Sequence, residues 1–346
     1  MGERLLTVEN LKSHFFLASG TVKAVDGVSF TLDKGEVLGI VGESGCGKSV
    51  TASSIIRLLP PKVGRIVDGS IRFEDRDVLS FSQKQLRDFR GRDISTIFQN
   101  PMTSLDPVFK IGNQMVEMIR AHHKEIDRNR ALEISIDALR RVGIPNPEKR
   151  VSCYPYELSG GMCQRVIIAM ALCCAPKLII ADEPTTALDV TVQSQVLKLL
   201  KQLRDEQGVA ILLITHNLGI VWEMCDRVMT MYAGKTVEYT TTAELYSHPL
   251  HPYTWGLLDS IPSLNDQKGR LNTIEGMPPD LRLTGTCCNF YNRCPYATPL
   301  CKQQVPKLVE VEQGHFVACH RQNGNESLKR GEYSGTGQHH SENPGA

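Results

Sequence analysis

The stretch Gly42-Glu43-Ser44-Gly45-Cys46-Gly47-Lys48-Ser49 constrains this chain more than any other. It follows the apolar run 38–41 directly and opens the helical pattern SVTASSIIRLL, so strand, glycine loop and helix come in immediate succession. Glycines let consecutive backbone N–H groups turn inward, and the helix N-terminus adds partial positive charge, which together cradle phosphate oxygens. In such a cradle Lys48 reaches the β and γ phosphates of a nucleotide and Ser49 ligates Mg2+. Glu43, Ser44, Gly45, Cys46, Gly47 and Val50 complete the expected loop. A glycine-rich turn with an incidental lysine is the bland alternative, and the strand-to-helix setting argues against it. Cys46 near a helix N-terminus reads either as a thiol of lowered pKa, whose alkylation blocks nucleotide binding, or as an inert small side chain.

The rest of the chain sets limits. With 346 residues, about two domains of ~150 residues are expected. Lys plus Arg number 39 against 38 Asp plus Glu, a net charge of +1, so a nucleic-acid partner is not expected and any phosphate binding is local. No apolar run approaches the ~18 residues a membrane span needs. The opening MGERLLTVENLK lacks the charged head and apolar core of an export signal, which predicts a cytoplasmic chain.

Short apolar runs at 37–41, 177–182 and 209–215 each precede turn residues and a helical pattern, the rhythm of an α/β sheet. Val192, Val196, Leu199, Leu200 and Leu203 share one helix face, as do Leu132, Ile136, Leu139 and Val142, and both stripes read as core. A helical insertion is expected over about 100–170. From 241 to 320 the βα rhythm gives way to a separate, loop-rich appendage. The tail 321–346 has almost nothing apolar and is expected to be disordered.

A second acidic site narrows the class. The run Leu178-Ile-Ile-Ala-Asp182-Glu183 ends a strand in two carboxylates; Asp182 suits the Mg2+ shell and Glu183 suits polarising an attacking water. Taken alone, the pair is equally a solvated strand end or a helix cap. Between the two motifs lies LSGGMCQR, whose Ser159, Gly160 and Gly161 open a helix and present an anion site. After them come Asp189 and the strand-terminal His216. This order, with Gln99 after an apolar strand, resembles the nucleotide-binding subunit of ABC transporters over residues 5–240.

The resemblance implies a P-loop ABC-type α/β fold: a RecA-like core, an antiparallel β subdomain and a helical subdomain within 1–240. It assigns Gln99 to the loop that touches Mg2+ and the attacking water, Asp189 to the D-loop, and His216 to the γ-phosphate switch. Phe15 falls where the family stacks an aromatic on adenine, with Phe16 as the competing choice. Ser159 to Gly161 would complete the site of a second subunit head to tail, so one chain alone should be a poor ATPase. Met162 stands where a Gln is usual, and Cys163 replaces a basic residue.

FQNPMTSLDPVFKIG, ADEPTTALDVTVQ and HPLHPYTWGLL are similar to the ATPases of oligopeptide and dipeptide importers, a family that also includes nickel importers. That resemblance implies ATP hydrolysis coupled to transport at the cytoplasmic face of the membrane. The implied partners are a paralogous second ATPase subunit, two transmembrane permease subunits and, indirectly, an extracytoplasmic substrate-binding protein. A soluble ABC-type regulatory or nucleic-acid ATPase with a metal-sensing domain is the alternative. The appendage is expected to be a small loop-rich C-terminal metal-binding domain. Cys288, Cys294, Cys301 and Cys319 can hold Zn2+ or a [4Fe–4S] cluster, or remain plain thiols; their spacing does not decide, and the resemblance favours [4Fe–4S]. Cys287 is the extra cysteine and His315 a weaker candidate ligand.

Overall fold

A computed structural model describes residues 2–98, 104–185, 189–261, 274–322, 328 and 330. Among these residues twelve strands form two sheets. They are β1 (Arg4–Leu17), β2 (Gly20–Asp33), β3 (Val37–Val41), β4 (Gly64–Phe73), β5 (Arg76–Asp77) and β6 (Ile94–Ile97). The second half supplies β7 (Leu178–Asp182), β8 (Ala210–Ile214), β9 (Arg227–Tyr232), β10 (Lys235–Thr241), β11 (Val309–Glu312) and β12 (His315–Val317). The smaller sheet is antiparallel in the order β2-β1-β4-β5. The larger runs β11-β12-β10-β9-β3-β8-β7-β6, parallel from β9 to β6 and antiparallel beyond.

The three short apolar runs of the sequence are β3, β7 and β8, and they occupy the middle of the parallel half because both their faces are buried. Alternation then splits each run between two cores. Leu38, Ile40, Leu178, Ile180, Leu212 and Ile214 pack with the smaller sheet and with α1 (Lys48–Ile55). Val37, Val41, Ile179, Ala181, Ile211 and Leu213 face the helices on the other side. Each such buried aliphatic side chain contributes about 1.5–3 kcal/mol.

A short helix α2 (Gln83–Asp88) precedes β6. The expected helical insertion comprises α3 (Ile111–His122), α4 (Arg128–Arg141), α5 (Pro147–Arg150) and α6 (Gly160–Leu172). One position of its stripe needs correcting. Leu139 and Val142 are buried and Ile136 packs against the same core, but Leu132 is exposed, and Ala131, Ser135 and Ala138 complete the buried face of α4. In α7 (Val190–Gln207) the stripe holds: Val196, Leu200 and Leu203 are buried, with Val192 and Leu199 packed beside them. α8 (Leu218–Met224), α9 (Thr242–Ser247), α10 (Pro252–Asp259) and α11 (Pro299–Gln303) follow. No helix among the described residues is long and apolar enough to cross a membrane.

The segment expected as a separate appendage is built into the core. β12 pairs with β10, Glu238 opposite Val317 and Tyr239 opposite Phe316, and β11 closes the edge. Glu238 is fully buried and pins this junction: its carboxylate accepts from the Leu250 N–H at 2.6 Å and the His251 N–H at 3.0 Å, and pairs with His315 Nε2 at 2.8 Å. A carboxylate so supplied with donors can be buried at tolerable cost. His315 thus commits its Nε2 to Glu238, while its buried Nδ1 has no hydrogen-bond partner among the described residues. Part of the expected disordered tail is placed as well: Gln322 is buried and donates to the Leu250 and Leu328 carbonyls at 2.8 and 2.9 Å. Positions 331–346 lie outside the described residues.

Candidate functional site

The phosphate loop spans the gap from β3 to α1, and its two end glycines are dictated by crowding. Gly42 has φ +148°, and a Cβ there would lie 2.2 Å from the Met231 carbonyl oxygen and 2.8 Å from Cys46 Sγ. Gly47, at φ +106°, caps α1, and its Cβ would meet the Ala24 carbonyl oxygen at 2.2 Å. Only glycine fits either place. Lys48 is buried and folds back over the loop, donating to the Gly42 carbonyl at 2.7 Å and the Glu43 carbonyl at 3.0 Å.

One residue on, the Ser49 hydroxyl donates to Asp182 Oδ1 at 3.0 Å, which joins the start of α1 to the end of β7. Burial, aided by the charge of Glu183, pushes the Asp182 carboxyl up, while the Ser49 bond and Lys48 pull it down. Ser49 and Asp182 thus offer adjacent hard oxygen donors, the donor set Mg2+ prefers. Glu183 holds a left-handed backbone angle, φ +47°, tied by its N–H to the Ile214 carbonyl at 2.9 Å. Its Oε1 lies 3.3 Å from Nδ1 of the exposed His216. Strain of this kind concentrates at functional sites. The structure therefore brings Lys48, Ser49, Asp182, Glu183 and His216 to the ends of three neighbouring strands.

Other predicted residues lie elsewhere. Ser159 caps α6 by accepting from the Met162 N–H at 3.3 Å; a Cβ at Gly160 would meet open space, while one at Gly161 would strike Val192 at 2.9 Å. This helix start is closed by α7 on one side and open on the other. Asp189 caps α7, accepting from the Val192 N–H at 2.9 Å. Phe15 is half-buried against Gly64, and Phe16 is exposed with the Arg65 guanidinium over its ring. Gln99 lies outside the described residues, as do Ala187 and Leu188.

Gln164 carries no mark in the sequence beyond its place in the LSGGMCQR run. It is buried in α6 and its Nε2 donates to the Pro184 carbonyl at 2.8 Å, bracing the turn that follows Glu183. The reactive reading of Cys46 is corrected. Its thiol is buried under the loop, and burial pushes its pKa up despite Lys48 and the helix start.

With this geometry in place, likeness to known proteins can be weighed. Residues 25–186 match the family described as ABC transporter, and residues 237–301 match the oligopeptide/dipeptide transporter C-terminal region. A probable peptide ABC transporter ATP-binding protein of Sinorhizobium fredii is 48% identical over 320 residues, 92% of this chain and 95% of that protein. The chain belongs to the family of ABC transporter ATP-binding proteins. The dipeptide transport ATP-binding protein DppD of Bacillus subtilis is 47% identical over 317 residues, covering 92% and 94% of the two chains. Among solved structures, a post-hydrolysis dimer of the ATP-binding cassette MJ0796 bound to ADP and Pi matches with TM-score 0.62 at 23% identity, covering 68% of this chain and 98% of that one. That likeness speaks to fold alone. The structure of cbiO1 from Clostridium perfringens matches with TM-score 0.60 at 28% identity, covering 71% and 92%.

The cysteine segment of this ABC transporter ATP-binding protein is less definite. Among the described residues no group of three or more His, Cys, Asp or Glu is placed to hold a metal ion, and all eleven cysteines are free thiols. Cys288, Cys294, Cys301 and Cys319 nonetheless lie within electrostatic reach of one another. Burial first, then neighbouring thiols, pushes Cys288 up to about 11 and Cys294 up to about 12. Cys319 is raised too, by burial and then by Cys301. Their donor chemistry fits a soft metal or cluster; their present spacing does not hold one.

Proposed function

We propose that this ABC ATPase is the ATP-hydrolysing subunit of a peptide importer of the dipeptide and oligopeptide class. The observation that carries this reading is the match to the oligopeptide/dipeptide transporter C-terminal region at 237–301, outside the nucleotide core. The domains we assign are 1–240 for the nucleotide unit, with its helical part at about 100–170, 241–320 for the importer-type segment, and 321–346 for the tail.

In the mechanism, Lys48 leaves the Gly42 and Glu43 carbonyls for the β and γ phosphates, while the loop amides hold the remaining phosphate oxygens. Ser49 and Asp182 would hold Mg2+, which when bound neutralises charge on the β and γ phosphates. Glu183, steadied by His216, takes the proton of the attacking water, and Gln99 orients that water. Phe15 stacks on adenine. Ser159, Gly160 and Gly161, with Asp189, complete the site of a second subunit placed head to tail. That subunit is a paralogous ATPase; closure of the pair drives two permease subunits, to which a substrate-binding protein delivers cargo. The assembly places this chain at the cytoplasmic face of the membrane.

The four cysteines are assigned to a [4Fe–4S] cluster in preference to zinc on the resemblance of this segment to the importer family; four unpaired soft-donor thiols within electrostatic reach of one another are compatible with either. One experiment addresses both proposals: anaerobic purification of the amino-terminally tagged chain from gently solubilised membranes. Two permeases and a second ATPase in the eluate, with iron and labile sulfide on this chain, are the expected result. A soluble chain with no membrane partner, or one carrying nucleic acid, moves the reading to a regulatory ATPase. Zinc, or no metal, removes the cluster.

A further inference from the structure

The carboxy-terminal segment grips the phosphate loop at Glu43. The Arg293 guanidinium meets that carboxylate with both of its ends, Nη1 to Oε2 at 2.7 Å and Nη2 to Oε1 at 2.9 Å. Its remaining N–H groups reach the Tyr232 hydroxyl at 3.2 Å, the Ile274 carbonyl at 3.1 Å and the Glu275 carbonyl at 2.9 Å. All five donors of the guanidinium are thereby used, and its side chain is only 5% exposed. The Glu43 N–H donates to the hydroxyl of Tyr253, a residue of α10, at 2.8 Å. Phe290 meets the Tyr232 and Tyr253 rings edge to face beneath this contact, and those two tyrosines lie tilted against each other.

Every polar group of Glu43 is consequently engaged. Its carboxylate and amide are held from outside the loop, and its carbonyl accepts from Lys48. A phosphate cradle works only if its backbone directions are fixed before the ligand arrives, since ordering them afterwards subtracts from affinity. A bidentate, charge-assisted and shielded pair is suited to such fixing, where an exposed pair is not.

We propose that Arg293 is a positioning residue for the nucleotide site, through which the carboxy-terminal segment sets nucleotide affinity by fixing Glu43. The proposal rests on the reading of residues 42–49 as the nucleotide loop. The test is calorimetric binding of MgATP to the full chain carrying Arg293→Met, Arg293→Lys, Glu43→Gln, and Arg293→Met with Glu43→Gln. Arg293→Met and Glu43→Gln should each weaken binding about tenfold, and the double variant should be no weaker than the worse single one. Arg293→Lys, which keeps the charge but loses the fork, should fall between wild type and Arg293→Met. In the assembled transporter the KM for ATP should rise more than kcat falls.

A purely structural anchor would lower the melting temperature of Arg293→Met while leaving the Kd of the folded chain unchanged, and that result overturns the proposal. Full additivity of the two single effects overturns it as well. If Arg293→Met does not fold, Arg293→Lys and Glu43→Gln decide, with melting followed by circular dichroism. A wild-type chain that binds no MgATP would instead remove the nucleotide reading itself.

Discussion

Glu183 combines a backbone angle that few non-glycine residues adopt with a carboxylate that is mostly shielded and lies 3.3 Å from an imidazole. Replacing it with Gln keeps size and hydrogen bonding but removes the proposed base. The Glu183→Gln chain should therefore bind MgATP normally and lose turnover by a hundredfold or more, on the order expected for a general base. Lys48→Ala should abolish binding, because the phosphates lose their one buried ammonium; equilibrium binding beside single-turnover kinetics separates the two variants. Cys46 shows where residue-level reading fails. A helix start argues for a reactive thiol. Burial beneath Gly42 prevails, so Cys46 should resist maleimide equally with and without nucleotide, as mass spectrometry of the folded chain will report.

Among the elements, the β10–β12 junction carries the clearest pH dependence. His251, just ahead of α10, is fully buried and its Nδ1 accepts from the Tyr253 N–H at 3.0 Å. A proton on Nδ1 would face that donor. Burial pushes the ring down to about 4, against the opposing pull of Glu238 and a backbone bond to Ala318. The unfolded chain takes up its proton near pH ~6.5, so stability is complete above that value and falls as the pH drops toward 4. The loss from this residue amounts to about 3 kcal/mol at most. Burial likewise lowers His14 and His122, which steepen the same slope. Urea midpoints measured across this window should fall with acid in the wild type and less steeply in His251→Gln. An unchanged slope would sink the assignment.

The elements also show why some of this was legible in the sequence. β3, β7 and β8 are unbroken apolar runs because both faces are covered, and such runs announce themselves. The phosphate loop and the Asp182–Glu183 pair lie at the ends of those strands and were legible with them. Only the first position of the α4 stripe was misplaced: Ala131 and Ser135, small residues that suit a close helix contact, carry no hydrophobic signal, whereas Leu132 does and is exposed. The pairing of β10 with β12 was hidden because β12 has only three residues and the buried run of β10 is built of threonines, a valine, a tyrosine and a glutamate rather than an apolar stretch. Arg293 and Glu43 are 250 positions apart, and no local rule joins them.

At the scale of the whole molecule, the described residues hold the proposed catalytic groups at the strand ends and, apart from them, a helix start that no neighbour covers at Gly160. An open N-terminus with a serine cap is the arrangement that the proposed anion site requires. In the proposed assembly that ligand is the nucleotide of the opposite subunit, so hydrolysis should require two chains. Specific ATPase activity of the purified chain should be low and rise with its concentration, or with addition of the paralogous subunit. Ser159→Arg should abolish the rise with concentration of this chain alone while leaving MgATP affinity near wild type, because in the proposed pair the cap meets only the partner's nucleotide. Mixing excess Ser159→Arg with the paralogous subunit should leave one site of the pair working, seen as about half the wild-type rate if the sites act independently. Concentration-independent turnover by the single chain would mean that its own loop and carboxylates suffice, and the open helix start would then need another ligand.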